Sequence, residues 1–131
     1  MYSGTKHLIR KAIQFRYRLS PYMYALMARA AKTGAPIMEP LVYAFQEDAH
    51  CYNEGTTFML GDSLLVANVV EKGASERQVY LPKGTVFYDY KTREAYEGGQ
   101  TINVPVTLES IPMFLKSGTI LPMAENQIFN L

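Results

Sequence analysis

Gly34 and Pro36 divide the sequence into two parts whose apolar residues follow different periods. Between Thr5 and Thr33 the apolar residues recur every three or four positions, which is the period of an α-helix. They form two neighbouring rows: Leu8, Ala12, Phe15, Leu19, Tyr22, Leu26 and Ala30 in the first, and Ile9, Ile13, Tyr17, Tyr24, Met27 and Ala31 in the second. The pattern predicts one long amphipathic helix with a wide apolar face, which ends at Gly34.

Pro21 lies in the middle of this predicted helix. A proline cannot donate the backbone hydrogen bond to the residue four positions earlier, and its ring clashes with that carbonyl. Ser20 is suited to be an N-cap, with Pro21 as the first helical residue. We therefore expect a kink between two helical segments.

After Pro36 the apolar residues occur in short runs that are separated by glycine and proline turns. The runs are TFML, LLVANVV, RQVYL, TVFYDY, EAY, QTINV, IPMFL and TIL. Short strands at this spacing are typical of an antiparallel sandwich or barrel. The predicted fold is mainly β: an antiparallel β-sandwich over residues 37–131, preceded by the Pro-kinked helix over residues 1–36.

The charge is divided at the same place. Residues 1–33 contain seven of the thirteen basic residues and no acidic one, so the rest of the chain contains six basic and twelve acidic residues. Such an asymmetry indicates that something binds the basic part.

Several classes of protein and site are disfavoured by composition. No apolar run has the length of a membrane helix, no signal peptide is evident, and their absence favours a cytoplasmic protein over other compartments. Cys51 is the only cysteine, which excludes an internal disulfide. His7, His50 and Cys51 lack the spacing of a zinc site, and we expect no metal and no cofactor.

The segment FRYRLSPYMYALMARAAKTGAPIMEPLVYAF resembles the part of glycoside hydrolase family 31 that carries the last helix of the catalytic barrel. The positions that match the family pattern are Arg16-Tyr17, Pro21-Tyr22, Tyr24, Gly34, Pro36, Met38, Pro40-Leu41 and Phe45. FMLGDSLLVANVV, VYLPKGTVFYDY, YEGGQTI and IPMFLKSGTILP are similar to the proximal C-terminal β-sandwich of the same enzymes. The resemblance covers about residues 8–122 and implies a parent α-glucosidase or α-xylosidase.

The sequence also departs from the family pattern. Glu39 stands where the family usually has arginine, Gln46 and Asn68 stand where it has proline, and Val86-Phe87 replaces a tryptophan. We expect the charge reversal at Glu39 to alter a contact between domains.

The resemblance implies a retaining hydrolase, which needs two carboxyl groups about 5–5.5 Å apart in one pocket. The family's nucleophile lies in a tryptophan-containing barrel motif, and this chain has no tryptophan. Asp48, Asp62 and Asp89 lie in turn-like or strand-end positions, where capping carboxylates are common. We therefore expect no catalytic residue in this chain and a structural role in bracing the barrel.

The expected partner is the catalytic barrel of the parent enzyme, or a second copy that associates through the helix face. Tyr22 and Tyr24 are expected to be packing anchors there. Arg16 and Arg18 are expected to pair with acids of the barrel or of the β-module. Carbohydrate is expected to bind only to the complete parent enzyme.

Three alternatives remain open at this stage. A basic helix with tyrosines could bind nucleic acid or an anionic membrane, but the scattered charges and the proline favour neither. A carbohydrate-binding module could use Phe87, Tyr88, Tyr90 and Tyr96 as a stacking surface. Against this, alternate residues such as Tyr88 and Tyr90 share one face of a strand, and we predict that they fill the core.

Overall fold

A computed structural model describes residues 3–125 of the chain. These residues form two compact units, one of residues 3–37 with 121–125 and the other of residues 38–120. We call the first the helical unit and the second the β-module.

The helical unit contains two helices, α1 (Lys6–Arg18) and α2 (Ser20–Thr33), after a 3-10 turn at Ser3–Thr5. The predicted interruption before Pro21 is confirmed, because only Leu19 separates the two helices. Ser20 is not the N-cap that we predicted. Leu19 has that position with helical backbone angles (φ −78°, ψ −3°), and no side chain caps the helix.

Backbone hydrogen bonding continues across the interruption. The Leu19 N–H donates to the Phe15 carbonyl at 3.2 Å, and the Met23 N–H donates to the Leu19 carbonyl at 2.9 Å. Because proline has no N–H, residue 21 cannot donate to the Tyr17 carbonyl, and the interruption is confined to this place. Helix α2 ends at Gly34, as predicted: Gly34 has a left-handed backbone (φ 73°), and its N–H donates to the Ala30 carbonyl at 2.8 Å.

The β-module contains eight strands, a short helix and a 3-10 turn at Ala49–Cys51. In chain order the elements are β1 (Met38–Pro40), α3 (Leu41–Ala44), β2 (Thr57–Leu60), β3 (Leu64–Ala67), β4 (Glu76–Leu81), β5 (Val86–Asp89), β6 (Ala95–Glu97), β7 (Gln100–Pro105) and β8 (Met113–Lys116). Six strands form one sheet in the order β1-β2-β3-β8-β5-β6, and β4 pairs with β7 in a second sheet. Every strand pair is antiparallel, as predicted.

The two sheets share one buried core, which confirms the predicted sandwich. Met59, Leu65, Phe87 and Phe114 of the six-stranded sheet belong to the same buried cluster as Val79 and Leu81 of β4. Leu41 of α3 and Cys51 complete one side of this cluster. Along β2 the buried and partly buried residues alternate, which is the pattern of a strand with one face on the core.

Two local predictions are wrong. The run TIL, residues 119–121, is not a strand, because the Ile120 carbonyl accepts a hydrogen bond from the Ser63 hydroxyl at 3.2 Å and Pro122 follows at once. We predicted no strand at residues 38–40, yet β1 pairs with β2, with Glu39 opposite Met59. Pro40 ends β1, where a proline is tolerated at the edge of a sheet.

Candidate functional site

Asp48 is buried at the start of the 3-10 turn, where it connects two loops of the β-module. Its Oδ2 accepts hydrogen bonds from the Tyr80 hydroxyl at 2.7 Å and from the Lys83 N–H at 3.0 Å. Its Oδ1 accepts one from the His50 N–H at 3.2 Å and lies 3.4 Å from His50 Nδ1. All these contacts hold the carboxylate in place between the turn and the strand β4.

The electrostatics of Asp48 follow from these contacts. Burial alone would raise its pKa, but the hydrogen bonds from Tyr80 and from the Lys83 and His50 N–H groups outweigh burial and lower the pKa to about 2. Burial and the neighbouring carboxylate raise the pKa of Tyr80. Asp48 is therefore ionised at neutral pH and acts as a structural acceptor, which is the opposite of a proton donor with a raised pKa.

Asp62 and Asp89 lie at two other turns. Asp89 Oδ1 accepts hydrogen bonds from the N–H groups of Lys91 and Thr92, both at 2.7 Å, and this stabilises the turn between β5 and β6. Asp62 is exposed in the β2–β3 turn. Each of the three aspartates thus belongs to a separate turn.

Sequence reasoning missed a second carboxylate contact, at the partly buried Glu54. Its Oε1 accepts hydrogen bonds from the Thr56 N–H at 2.8 Å and the Thr57 N–H at 3.0 Å, and lies 3.8 Å from the Arg77 guanidinium. Burial would raise the pKa of Glu54, but these hydrogen bonds and Arg77 lower it. Arg77 also donates to the Asn68 carbonyl at 3.1 Å, which connects β4 to the end of β3.

The four strand aromatics do not share one face. Phe87 and Tyr96 lie opposite each other on β5 and β6, and both pack in or against the core. Tyr88 therefore points to the other side of the sheet, where 40% of it is exposed, and Tyr90 is partly buried beneath the Arg93 guanidinium at 5.4 Å. The prediction that Tyr88 and Tyr90 fill the core is wrong, because the register turns Phe87 inward instead.

The residues that we considered as metal ligands have other surroundings. The His50 ring stacks on Tyr80 with 5.0 Å between ring centroids. Cys51 is buried, and burial raises the pKa of its thiol to about 11. His7 lies in α1. Within residues 3–125, His, Cys, Asp and Glu side chains form no group of three or more that could hold a metal ion.

The two apolar rows of the helical unit differ in exposure. Leu19, Tyr22 and Leu26 of the first row are buried. The second row is exposed: Ile9 by 53%, Ile13 by 51%, Tyr17 by 47%, Tyr24 by 77% and Met27 by 51%. We call these five residues the outer row. Tyr22 is thus buried within the chain, whereas Tyr24 is not.

No contact within residues 3–125 pairs Arg16 or Arg18 with an acidic residue. Arg16 is exposed and forms no ion pair within that range, and Arg18 Nε is buried there without a hydrogen-bond partner. Their pairing with acids stays a prediction. Glu39 is buried at 7% exposure, and its effect on a contact between domains also stays a prediction.

None of the helices within residues 3–125 combines the length and the apolar character needed to cross a membrane.

Comparisons with known proteins identify relatives along most of the chain. Residues 34–121 match the model of the glycosyl hydrolase family 31 C-terminal domain. The chain is 43% identical over 116 residues to neutral alpha-glucosidase AB of Homo sapiens, which covers 88% of this chain and 12% of that protein. It is 38% identical over 125 residues to an alpha-xylosidase of Saccharolobus solfataricus, which covers 95% of this chain and 17% of that protein.

Solved structures show the same relationship. A family 31 dextranase of Flavobacterium johnsoniae complexed with glucose superposes with a TM-score of 0.87 and 38% identity over 92% of this chain and 15% of that one. A family 31 alpha-xylosidase from a soil metagenome complexed with xylose gives a TM-score of 0.86 and 33% identity over 91% of this chain and 18% of that one. The chain thus spans less than a fifth of these relatives, and it belongs to glycosyl hydrolase family 31.

Proposed function

We propose that this chain is a non-catalytic C-terminal part of a retaining α-glycoside hydrolase, in which it braces the catalytic barrel. The helices of the helical unit correspond to the last helix of the barrel, and the β-module corresponds to the proximal β-sandwich. The parent reaction is hydrolysis of an α-linked glucoside or xyloside, as the names of the relatives indicate.

The observation that carries this proposal is that the relatives cover most of this chain, whereas this chain covers only a small part of each relative. Nearly all of this chain aligns with relatives of which it spans only 12–17%. The carboxylates support the same interpretation, because Asp48 and Asp89 each accept backbone hydrogen bonds in a separate turn. The exposed outer row supports it as well, because large apolar patches on a surface mark interaction sites.

The proposal predicts how the purified chain behaves alone. It hydrolyses neither p-nitrophenyl α-glucoside nor p-nitrophenyl α-xyloside. Light scattering at about 0.5 M salt shows a mass above that of one chain, because a second copy covers the outer row once salt screens the charges. Turnover that survives rigorous purification contradicts the proposal.

A complementation experiment tests the structural role directly. The Saccharolobus solfataricus alpha-xylosidase is produced without the segment that aligns with this chain, alone and together with the full chain. We expect co-purification of the two polypeptides and recovery of xylosidase activity only when both are present. A chain carrying Ile13→Asp, which places a charge in the outer row, serves as the matched control and recovers no activity. Failure of the unmodified chain to bind contradicts the proposal.

A further inference from the structure

The outer row is a continuous surface, although it spans two helices. Ile9, Ile13 and Tyr17 are four residues apart on α1, and Tyr24 and Met27 follow at helical spacing on α2. The hydrogen bonds of Leu19 and Met23 keep the helical path across Pro21. The row from residue 9 to residue 27 is therefore about 27 Å long at 1.5 Å per residue.

Cations edge this row on both sides. On a helix, residues three and four apart are neighbours. Arg10 precedes Ile13 by three residues and Arg16 follows it by three, so the two guanidinium groups flank the centre of the row from opposite sides. Lys6 precedes Ile9 by three residues and extends the charged edge, and all three cations are exposed.

No carboxylate of the same helices neutralises these charges. Residues 1–38 contain no acidic residue, and within residues 3–125 neither Arg10 nor Arg16 forms an ion pair. A partner that buries the outer row must therefore accept cations at the edges of an apolar contact. An uncharged or basic partner would leave them desolvated or repelled, which costs binding free energy.

We infer that the outer row binds an amphipathic helix whose apolar stripe is edged by carboxylates. A helix is the shape that a row at this spacing accepts, by packing of ridges into grooves. The inference rests on the proposed function, since in the parent enzyme that helix belongs to the rest of the polypeptide, and it specifies the chemistry of the surface that covers the outer row.

The same charges distinguish this partner from a second copy. Two outer rows that face each other bring Arg10 and Arg16 of both copies together, and salt screens this repulsion. Self-association through the outer row therefore strengthens as salt rises. Binding of an acidic-edged helix weakens as salt rises, because salt screens the attraction.

Synthetic peptides test the inference without any other enzyme. Four fluorescent helical peptides of equal length are titrated with the full chain by anisotropy. Three carry a leucine stripe flanked by Glu, by Gln or by Lys, and the fourth carries Glu flanks with Ser in place of Leu. We expect the Leu/Glu peptide to bind about tenfold more tightly than the Leu/Lys peptide at about 0.05 M salt, and this ratio to shrink towards one at about 0.5 M.

Two double variants locate the effect. Arg10→Glu with Arg16→Glu reverses the preference, so that the Leu/Lys peptide binds more tightly. Lys72→Glu with Lys91→Glu makes the same change in net charge on exposed loops of the β-module and leaves the preference unchanged. Circular dichroism of both variants checks that the helices are retained.

Each other result overturns the inference. Equal binding of the Leu/Glu and Leu/Lys peptides would show that the charged edge does not contribute to binding. Equal binding of the Leu/Glu and Ser/Glu peptides would show that the apolar stripe does not contribute. If none of the peptides binds, the outer row does not bind a helix. Failure of xylosidase complementation beside selective binding of the Leu/Glu peptide would refute the proposed parent while leaving the chemistry of the outer row intact.

Discussion

The helical unit and the β-module place their apolar side chains in opposite ways. In the β-module, Leu65, Phe87 and Phe114 have no exposed surface and belong to one core between two sheets. In the helical unit, α1 has no buried residue at all, and Ile9 and Ile13 remain about half exposed at 53% and 51%. Both segments are rich in apolar residues, but the helical unit buries only part of them and leaves the outer row exposed.

Apolar periodicity in a sequence therefore indicates that a face is buried, but it does not identify the residues that bury it. The β-module covers its own face, so its sequence pattern is explained by its own structure. The outer row of the helical unit has the same kind of pattern but stays exposed within residues 3–125, and we propose that a partner covers it. The following predictions test this contrast, from the largest expected effect to the smallest.

Two aromatic truncations give the largest contrast. Phe87→Ala is expected to lower the free energy of unfolding by about 3–5 kcal/mol, because it leaves a cavity in the shared core. Tyr24→Ala removes a side chain that is 77% exposed and is expected to change it by less than about 0.5 kcal/mol. Urea unfolding monitored by circular dichroism measures both. Equal losses would contradict the division between the two units.

A glycine at the corner between β6 and β7 gives the next effect. A Cβ on Gly98 would lie 2.0 Å from the Pro82 carbonyl oxygen and 2.7 Å from that of Thr85. Gly98→Ala must therefore displace backbone, and we expect a loss of about 1–3 kcal/mol. Gly55→Ala is the matched control, because nothing lies within 4 Å of its Cβ position. Thermal unfolding of both variants tests this, and an unchanged Gly98→Ala protein would show that the close approach is absent.

The pH dependence of stability reports on Asp48. Its pKa in the folded chain is about 2, below the ordinary value of 3.8, so its contribution is complete above about pH 4 and is lost as the pH falls through 2. The shift corresponds to about 2 kcal/mol. Asp48→Asn should flatten this part of the curve of unfolding free energy against pH. Glu47→Gln, which removes an exposed neighbouring charge, should leave the curve unchanged.

A small effect is expected at Tyr88, on the outward side of β5. Tyr88→Ala should cost less than about 1 kcal/mol, because 40% of the side chain is exposed. Calorimetric titration with maltose should give the same heat for the variant and the unmodified chain. Salt-insensitive sugar binding that disappears with Tyr88→Ala would favour the carbohydrate-binding module and oppose a purely structural role.

The features that the sequence predicted well are those with a local physical cause. The helix end at Gly34 follows from the left-handed backbone that glycine permits, and the interruption at Pro21 follows from the missing N–H. The strands β2 and β7 lie close to the runs TFML and QTINV, since their flanking turns contain glycine or proline.

Most of the features that the sequence did not predict depend on residues that are distant in the sequence. β1 is a strand because β2 supplies its hydrogen bonds, and Tyr88 faces outward because the register pairs Phe87 with Tyr96. The contact between Asp48 and Lys83 joins residues 35 positions apart, and no local sequence pattern predicts it. Leu19 replaces Ser20 as the cap because the helical hydrogen bonds continue through the proline segment.

The strand order has a consequence for how this chain is made. Among the strands described within residues 3–125, β8 comes last in the sequence, yet it lies between β3 and β5, with Leu115 opposite both Leu64 and Tyr88. Until the ribosome has released residues 113–116, the larger sheet exists only as two separate parts, each with an unpaired edge. Contacts between residues this far apart slow folding, and open edges recruit other chains. Chains that stop before Met113 are therefore expected to leave these edges open and to associate with other chains.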